Sequence, residues 1–433
     1  MRRGVRCYRE VRRGPYPLLF HWGDCQPGRD ARRVKVFVLN CGSSSVKYKL
    51  YDMAPGRVPA VVASGKVERV GTDTAIITHR QGTAQRQVTR PVFHHYEAIQ
   101  LCLAMLTGDG GAIEATAVDA VGHRVVHGGE LFREAVVVTP AVKEALRQLN
   151  DLAPLHNPHN LAGIEAAEAL LPHAPQVAVF DTAMHARMPA HAYLYGIPYE
   201  LYERHGIRRY GFHGISHKYV AHRVAERLGR PVESLRIISC HLGNGASVAA
   251  IRGGVSVDTS MGFTPLEGLL MGTRSGDIDP GALIYLMAHG DLSLADLNAL
   301  LNRQSGLKGI SGLSGDMRDI EAAMDAGDDR ARLAFDMYEY RVRKYIGAYA
   351  AAMNGVDAIA FTAGIGEHSP RLRQKICAGL TYLGVRLDEA QNAAAAGEAE
   401  ISAPGSSVRV FVIPTDEELV IAQDTVALLA ARR

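Results

Sequence analysis

Val36-Phe-Val-Leu-Asn40-Cys-Gly-Ser43-Ser-Ser45-Val-Lys47-Tyr-Lys-Leu50 reads as strand, tight polar turn, strand. Val36 to Leu39 is an apolar, partly β-branched run suited to a buried strand. Gly42 and the serines supply turn chemistry. Beyond the turn the side chains alternate, so Val46, Tyr48 and Leu50 share one face while Ser43, Ser45 and Lys47 share the other. The hairpin thus presents hydroxyls, turn N–H groups and an ammonium in one direction, which is what a nucleotide phosphate requires. An ordinary hairpin with a solvated serine turn satisfies the same pattern, and this stretch alone leaves both readings open.

A second copy of the pattern tips the balance. Ile237-Ile-Ser-Cys-His241-Leu-Gly-Asn-Gly245-Ala-Ser247-Val-Ala-Ala-Ile251 is again an apolar strand, a polar residue, a Gly-containing turn and a second strand. The two look like the halves of an internal duplication, each contributing one phosphate-facing hairpin to a common cleft.

Between and beyond them strands alternate with helices, which points to α/β. Residues 65–78 extend the first meander, and Tyr96 to Leu106 is helical. Thr139-Pro140 opens a helix as N-cap and first residue. Leu155 to Pro158 reads as a loop, with Asn160 capping the next helix. Val177 to Phe180 is a strand that delivers Asp181 at its carboxyl end. The loop-rich texture of 185–210 suggests a domain boundary. Thr264-Pro-Leu-Glu267 and Thr415-Asp-Glu-Glu418 have the spacing of capping boxes. Residues 305–318 read as a glycine-rich loop, and a long helix from about Asp329 stops at Asn354-Gly355. Ala358 to Thr362 and Val408 to Pro414 are further strands. The expected domains are 34–184 with 418–433, and 185–417.

Composition sets outer limits. The 433 residues, 47% hydrophobic and 21% charged, describe a globular protein with ample core. The net charge of +3 gives no argument for nucleic acid, and no apolar run approaches the ~20 residues that cross a membrane. The 6 cysteines are scattered without a C-x-x-C pair, which argues against disulfides or zinc and suits a cytoplasmic location. Residues 1–33 hold nine arginines against three acidic residues. They read as a poorly ordered basic extension or an upstream start codon chosen in error, the true chain then beginning near Val34.

Charged residues beside glycines at strand ends are where α/β folds bind ligands. Arg124 and Arg274 can grip an oxyanion bidentately, although a surface arginine with a solvated head is the commoner fate. Asp181 can hold a metal, act as a base or cap a helix. His213, between glycines, can donate to a developing charge or be a satisfied loop histidine. Glu417 at a helix start is favoured by the dipole in any case.

Seven motifs then occur in an order that resembles the acetate kinases: Asn40 to Lys47, His123 to Gly129, Phe180 to His185, Gly211 to Gly214, His241 to Gly245, Met271 to Asp277 and Gly364 to His368. The resemblance runs from Val34 to the end. It implies two duplicated ribonuclease-H-like domains closing over a nucleotide, as in sugar kinases, actin and Hsp70-type ATPases. By the same resemblance, Asn40 and Glu417 are associated with Mg²⁺ (or Mn²⁺). Lys47 and His241, Leu242, Gly243, Asn244 and Gly245 contact ATP phosphates. Asp316, Met317 and Arg318, with Gly364, Ile365, Gly366, Glu367 and His368, line the nucleoside. Arg124 takes the substrate carboxylate. Asp181 is the catalytic acidic residue, and His213 and Arg274 stabilise the transition state. Val126, Leu155, Phe212 and Pro265 surround the acetate methyl.

The implied reaction is ATP plus acetate to ADP plus acetyl phosphate, by direct in-line transfer, in a homodimer. Acetate is already ionised at neutral pH, so Asp181 is better viewed as organising the metal or the arginines than as a base. Two residues depart from the family pattern: His368 stands where many members have Asn, and Met184 replaces a common Phe. A propionate or butyrate kinase is the near alternative; an actin- or Hsp70-like ATPase is the distant one.

Overall fold

The computed structural model describes residues 33–54, 57–107, 114–290 and 292–432. The basic extension therefore lies, apart from Arg33, outside the described residues. The first sheet contains β1 (Val34–Cys41), β2 (Ser45–Met53), β3 (Ala60–Glu68), β4 (Thr72–Gln81), β5 (Ala84–Val92), β6 (Ala120–Val125), β7 (Val136–Val137) and β8 (Gln176–Phe180). The second contains β9 (Arg236–Leu242), β10 (Ala246–Arg252), β11 (Val255–Thr259), β12 (Ala358–Thr362), β13 (Ala399–Glu400) and β14 (Arg409–Val412).

Their orders are β5-β4-β3-β2-β1-β6-β8-β7 and β11-β10-β9-β12-β14-β13. Each has an antiparallel meander (β3-β2-β1; β11-β10-β9), then parallel neighbours (β6, β8; β12, β14), then a short antiparallel edge strand (β7; β13). The duplication read from the two hairpins is thus a duplication of whole sheets, the arrangement of two ribonuclease-H-like domains. Parallel strands covered on both faces need continuous apolar runs, and β8 and β12 are buried throughout. The edge strand β5 was not foreseen. All of it but Val92 is exposed, and its signal was Gly82, whose φ of 57° turns the chain.

The helices are exchanged between the sheets. Helix Gly214–Leu228 follows β8 in sequence, yet Val220, Ala221 and Val224 pack with Ile237, Ala249, Ala360 and Phe411 of the second sheet. Helix Glu417–Ala430 follows β14, yet Val420 and Ile421 pack with Val36, Val38 and Val177 of the first. Lys218 Nζ joins the two helices, donating to Asp424 Oδ1 at 2.7 Å.

Several local expectations are corrected. Residues 264–267 form no helix: Glu267 is drawn away by Tyr195 Oη and Arg209 Nη2, each at 2.5 Å. Much of 305–318 is helical, as Gly306–Ser311 and the start of Met317–Asp325. Asp416, not Thr415, caps the last helix, accepting from Leu419 N at 3.2 Å.

Candidate active site

Strand register places the first group of side chains. Asn40 pairs with Lys47 across the β1–β2 hairpin. Leu39 pairs with His123, so Asn40 is beside Arg124. Val125 pairs with Phe180, which brings Asp181 to the same edge. The carboxyl ends of β1, β6 and β8, with the amino end of the antiparallel β2, therefore present Asn40, Arg124, Asp181 and Lys47 in one row.

Arg124 donates from Nε to Asp181 Oδ1 at 3.1 Å and from Nη2 to Oδ2 at 2.5 Å, a bidentate pair. Its Nη1 reaches Asn40 Oδ1 at 3.4 Å, and Glu417 Oε2 is 3.8 Å from Nε. Burial works against this charge, but the Asp181 and Glu417 carboxylates outweigh it and hold the guanidinium pKa above its ordinary value. Glu417 is pushed up to about 7, by burial first; Arg124 opposes the rise, while Asp181 and Glu418 add to it. The dipole reading of Glu417 is therefore incomplete, because this half-buried carboxyl stands among other acids.

Gly214 explains why two distant motifs act together. Its N–H donates to Asp181 O at 3.0 Å. A Cβ there would sit 2.1 Å from that oxygen, so only glycine fits. The preceding His213 takes the left-handed conformation at φ 57°. His185 reinforces the joint, its Nε2 lying 3.1 Å from Phe212 O.

His213 stacks on His241 with ring centroids 4.1 Å apart. Burial, then the neighbouring His241 and His217, then Arg124 and Arg274 drive the His213 pKa well below the ordinary histidine value. A Cβ placed on Gly245 would lie 3.7 Å from His213 Nε2 and 3.4 Å from Arg274 Nη1, so the two side chains converge on the second hairpin's turn. Arg274 has no carboxylate within ion-pair distance among the described residues. Its Nη1 donates to Pro265 O at 3.0 Å, and burial lowers its pKa.

The segments that the family resemblance assigns to the nucleotide meet backbone to backbone. Gly272 N donates to Asn244 O at 3.0 Å, and Lys308 N donates to Gly272 O at 3.0 Å. A Cβ on Gly272 would lie 2.1 Å from Asn244 Oδ1 and 2.9 Å from Gly315 O. Gly364 to His368 lie in helix Ala363–His368, with Ala363 at φ 64°. His368 is exposed, and its Nδ1 lies 2.9 Å from Gly364 O. Met317 is buried; Asp316 caps its helix and pairs with the exposed Arg318.

Of the expected apolar lining, Val126 and Phe212 are buried in one cluster, and Pro265 is tied to Arg274. Leu155 is different, being 59% exposed and outside that cluster.

Sequence reasoning missed the supports. Asn160 is no cap; it is buried inside helix Asn157–Leu170. Its Oδ1 accepts from Val126 N at 3.0 Å and its Nδ2 donates to Cys41 O at 2.7 Å. Asn157 binds both the N–H and the C=O of His127, at 3.1 and 3.0 Å. Arg373 is fully buried and caps Gly366 O and Glu367 O at 2.9 and 2.8 Å.

Among the described residues no helix is long and apolar enough to cross a membrane. The sequence matches the profile of the Acetokinase family over residues 35–423. It is 55% identical over 401 residues to an acetate kinase of Symbiobacterium thermophilum, covering 92% of this chain and 100% of that one. It is likewise 55% identical over 397 residues to an acetate kinase of Heliobacterium modesticaldum, covering 91% and 99%. The fold superimposes on Porphyromonas gingivalis acetate kinase with a TM-score of 0.87 at 48% identity, covering 92% of this chain and 100% of that one. It superimposes on a Francisella tularensis propionate kinase with a TM-score of 0.84 at 38% identity, covering 91% and 99%. With the paired sheets and the ordered motifs at their strand ends, these matches place the chain in the Acetokinase family.

Proposed function

We propose that this enzyme transfers the γ-phosphoryl group of ATP directly and reversibly to acetate, giving ADP and acetyl phosphate. The observation that carries this reading is Arg274: a half-buried guanidinium without a carboxylate partner, converging with His213 Nε2 on the glycine turn of the second hairpin. A half-buried cation held away from acids is poised for an anion that arrives with the substrate.

Transfer between a phosphate and a carboxylate brings two anions together, and catalysis consists largely of positioning and neutralising them. Acetate, with a reference carboxyl pKa of roughly 4, needs no base. Arg124 steers the acetate, leaving Asp181 to fix that guanidinium. Val126, Phe212 and Pro265 enclose the methyl. His213 and Arg274 stabilise charge on the phosphoryl oxygens in flight. Lys47 and His241 to Gly245 hold the phosphates, while Asp316 to Arg318 and Gly364 to His368 border the nucleoside.

The donor set fits Mg²⁺ or Mn²⁺. Hard cations bind through one or two carboxylates plus phosphate and water, and a half-buried Glu417 held above its ordinary range would be relieved by a divalent cation. Asn40 and Glu417 would hold it, and it would neutralise phosphate charge.

We place the moving lobes at 34–184 with 418–433 and at 185–417, closing over ATP so that water is excluded. A cytoplasmic enzyme fits the scattered thiols. A homodimer fits helix Pro280–His289, which has no buried residue and presents Ile284 and Tyr285 at 70% and 63% exposure.

Propionate is the second reading, favoured by the likeness to the propionate kinase. One methylene in an apolar pocket changes discrimination by only ~1–3 kcal/mol, so propionate turns over as well. Trapping acetyl phosphate with hydroxylamine tests the reaction: product must depend on acetate, and ATP hydrolysis that dominates without acetate contradicts the proposal.

A further inference from the structure

Behind His213 runs a buried chain of hydroxyls and imidazoles for which the reaction itself has no evident use. Ser247 Oγ lies 2.9 Å from His213 Nδ1 and 2.8 Å from His217 Nε2. His217 Nδ1 lies 2.9 Å from Ser239 Oγ. His213 and His217 are one turn apart at the start of helix Gly214–Leu228, with His217 N donating to His213 O at 2.9 Å. Ser239 and Ser247 stand on the adjacent strands β9 and β10. Ser239, Ser247 and His217 are all fully buried.

Proton counting leaves three ways to order this chain, and one of them, with both imidazoles donating to Ser247, strands the Ser247 proton in the core. A hydroxyl carries one proton and a neutral imidazole one N–H. Suppose His213 Nδ1–H donates to Ser247. Ser247 then donates to His217 Nε2, and His217 Nδ1–H donates to Ser239. The Ser239 proton is left in the core without an acceptor, because His217 is its only hydrogen-bond partner among the described residues. Only in the order opposite to the one just traced is nothing orphaned. Ser239 donates to His217 Nδ1, His217 Nε2–H donates to Ser247, and Ser247 donates to His213 Nδ1. A buried donor without a partner is the more expensive arrangement, so the order running from Ser239 to His213 prevails. It leaves His213 with its proton on Nε2, the nitrogen that faces Gly245 and Arg274.

We propose that Ser247 and His217, anchored by Ser239, are positioning residues that fix His213 as a neutral Nε2–H donor before substrate binds. The proposal deepens the reading of His213 as a transition-state donor and rests on it. A neutral donor with a set tautomer needs no reorganisation when charge develops on the phosphoryl oxygens. Burial and the crowding of the His213, His217 and His241 rings, with centroids 4.1 and 6.2 Å apart, keep the chain uncharged.

The test is a two-bond proton–nitrogen correlation spectrum of the ¹⁵N-histidine-labelled full-length enzyme, with steady-state kinetics on the same samples. The wild type is expected to show His213 protonated on Nε2 and bare on Nδ1. Ser247→Ala should lose that pattern and lower kcat roughly ten- to hundredfold, with the KM for ATP and acetate little changed. His217→Leu should behave alike, whereas His217→Gln, which keeps an N–H toward Ser247, should recover most of the activity. A wild-type His213 protonated on Nδ1 overturns the proposal, and this holds even where the variants fail to fold. So does Ser247→Ala with unchanged kcat and spectrum. His213→Ala with unchanged kcat sinks the donor role itself, a separate failure that the tautomer measurement distinguishes.

Discussion

Arg124 and Asp181 form a bidentate ion pair at the carboxyl ends of β6 and β8, with Oδ1 and Oδ2 at 3.1 and 2.5 Å from Nε and Nη2. Asp181 is 1% exposed, so the pair is structural as well as functional. Removing one member of a buried pair strands the other charge. Arg124→Ala should therefore raise the acetate KM and also lower unfolding stability, by about 3–5 kcal/mol. The double variant with Asp181→Ala should regain part of the stability but not the KM. Urea unfolding of all three variants measures this; additive losses would dissolve the coupling.

Arg274 has the opposite environment, with its charge unmatched by any acid among the described residues. Arg274→Ala should lower kcat by about 10³ or more, as for other arginines that act on a phosphoryl group in flight, and move the acetate KM much less. Folding stability should be near wild type or higher, since a partly buried, unpaired charge is removed. A large rise in KM at constant kcat would reassign Arg274 to substrate binding.

Buried histidines set the acid limit. His123, His127, His185 and His241 are each pushed down to about 4, chiefly by burial. Unfolded, they titrate near 6.5 and bind more protons than the native state across the window between. Stability is therefore fully present above about pH 6.5 and falls as pH drops toward 4, by up to about 3 kcal/mol for each histidine. His185→Gln, at the joint with Phe212 and Ser256, should flatten part of that slope in pH-dependent unfolding. An unaltered slope would mean that His185 does not titrate in this range.

Arg373 holds the carbonyl end of helix Ala363–His368 from beneath. Arg373→Met leaves the Gly366 and Glu367 carbonyls unpaired, at a cost of about 1–3 kcal/mol for each. It should raise the ATP KM and leave the acetate KM nearly unchanged. Equal shifts in both constants would show that the effect is global.

What the sequence made legible follows from how local each signal is. Both hairpins, Asp181 after β8 and the helix start at Thr139 are set by neighbours within a few residues, and they stand where expected. Asn160 read as a cap because caps are its commonest helical use, whereas its partners Cys41, at the end of β1, and Val126, just past β6, are far along the chain. Arg373, Ser239 and Ser247 carry no local pattern, since their meaning lies in groups far along the chain. The stretch 305–318 read as loop from its glycines. Gly306 is glycine for another reason: at φ 67°, a Cβ there would come within 2.2 Å of Met271 O. Leu155 came from the family resemblance alone, and its exposure gives that role no support.

The central claim is acetate as the preferred acceptor. Its most direct test is kcat/KM for acetate, propionate and butyrate, measured side by side with saturating ATP and Mg²⁺. The expected order is acetate first, propionate within roughly 10- to 200-fold of it, and butyrate lower still. A clear preference for butyrate, or no acyl acceptor above background ATP hydrolysis, would contradict it.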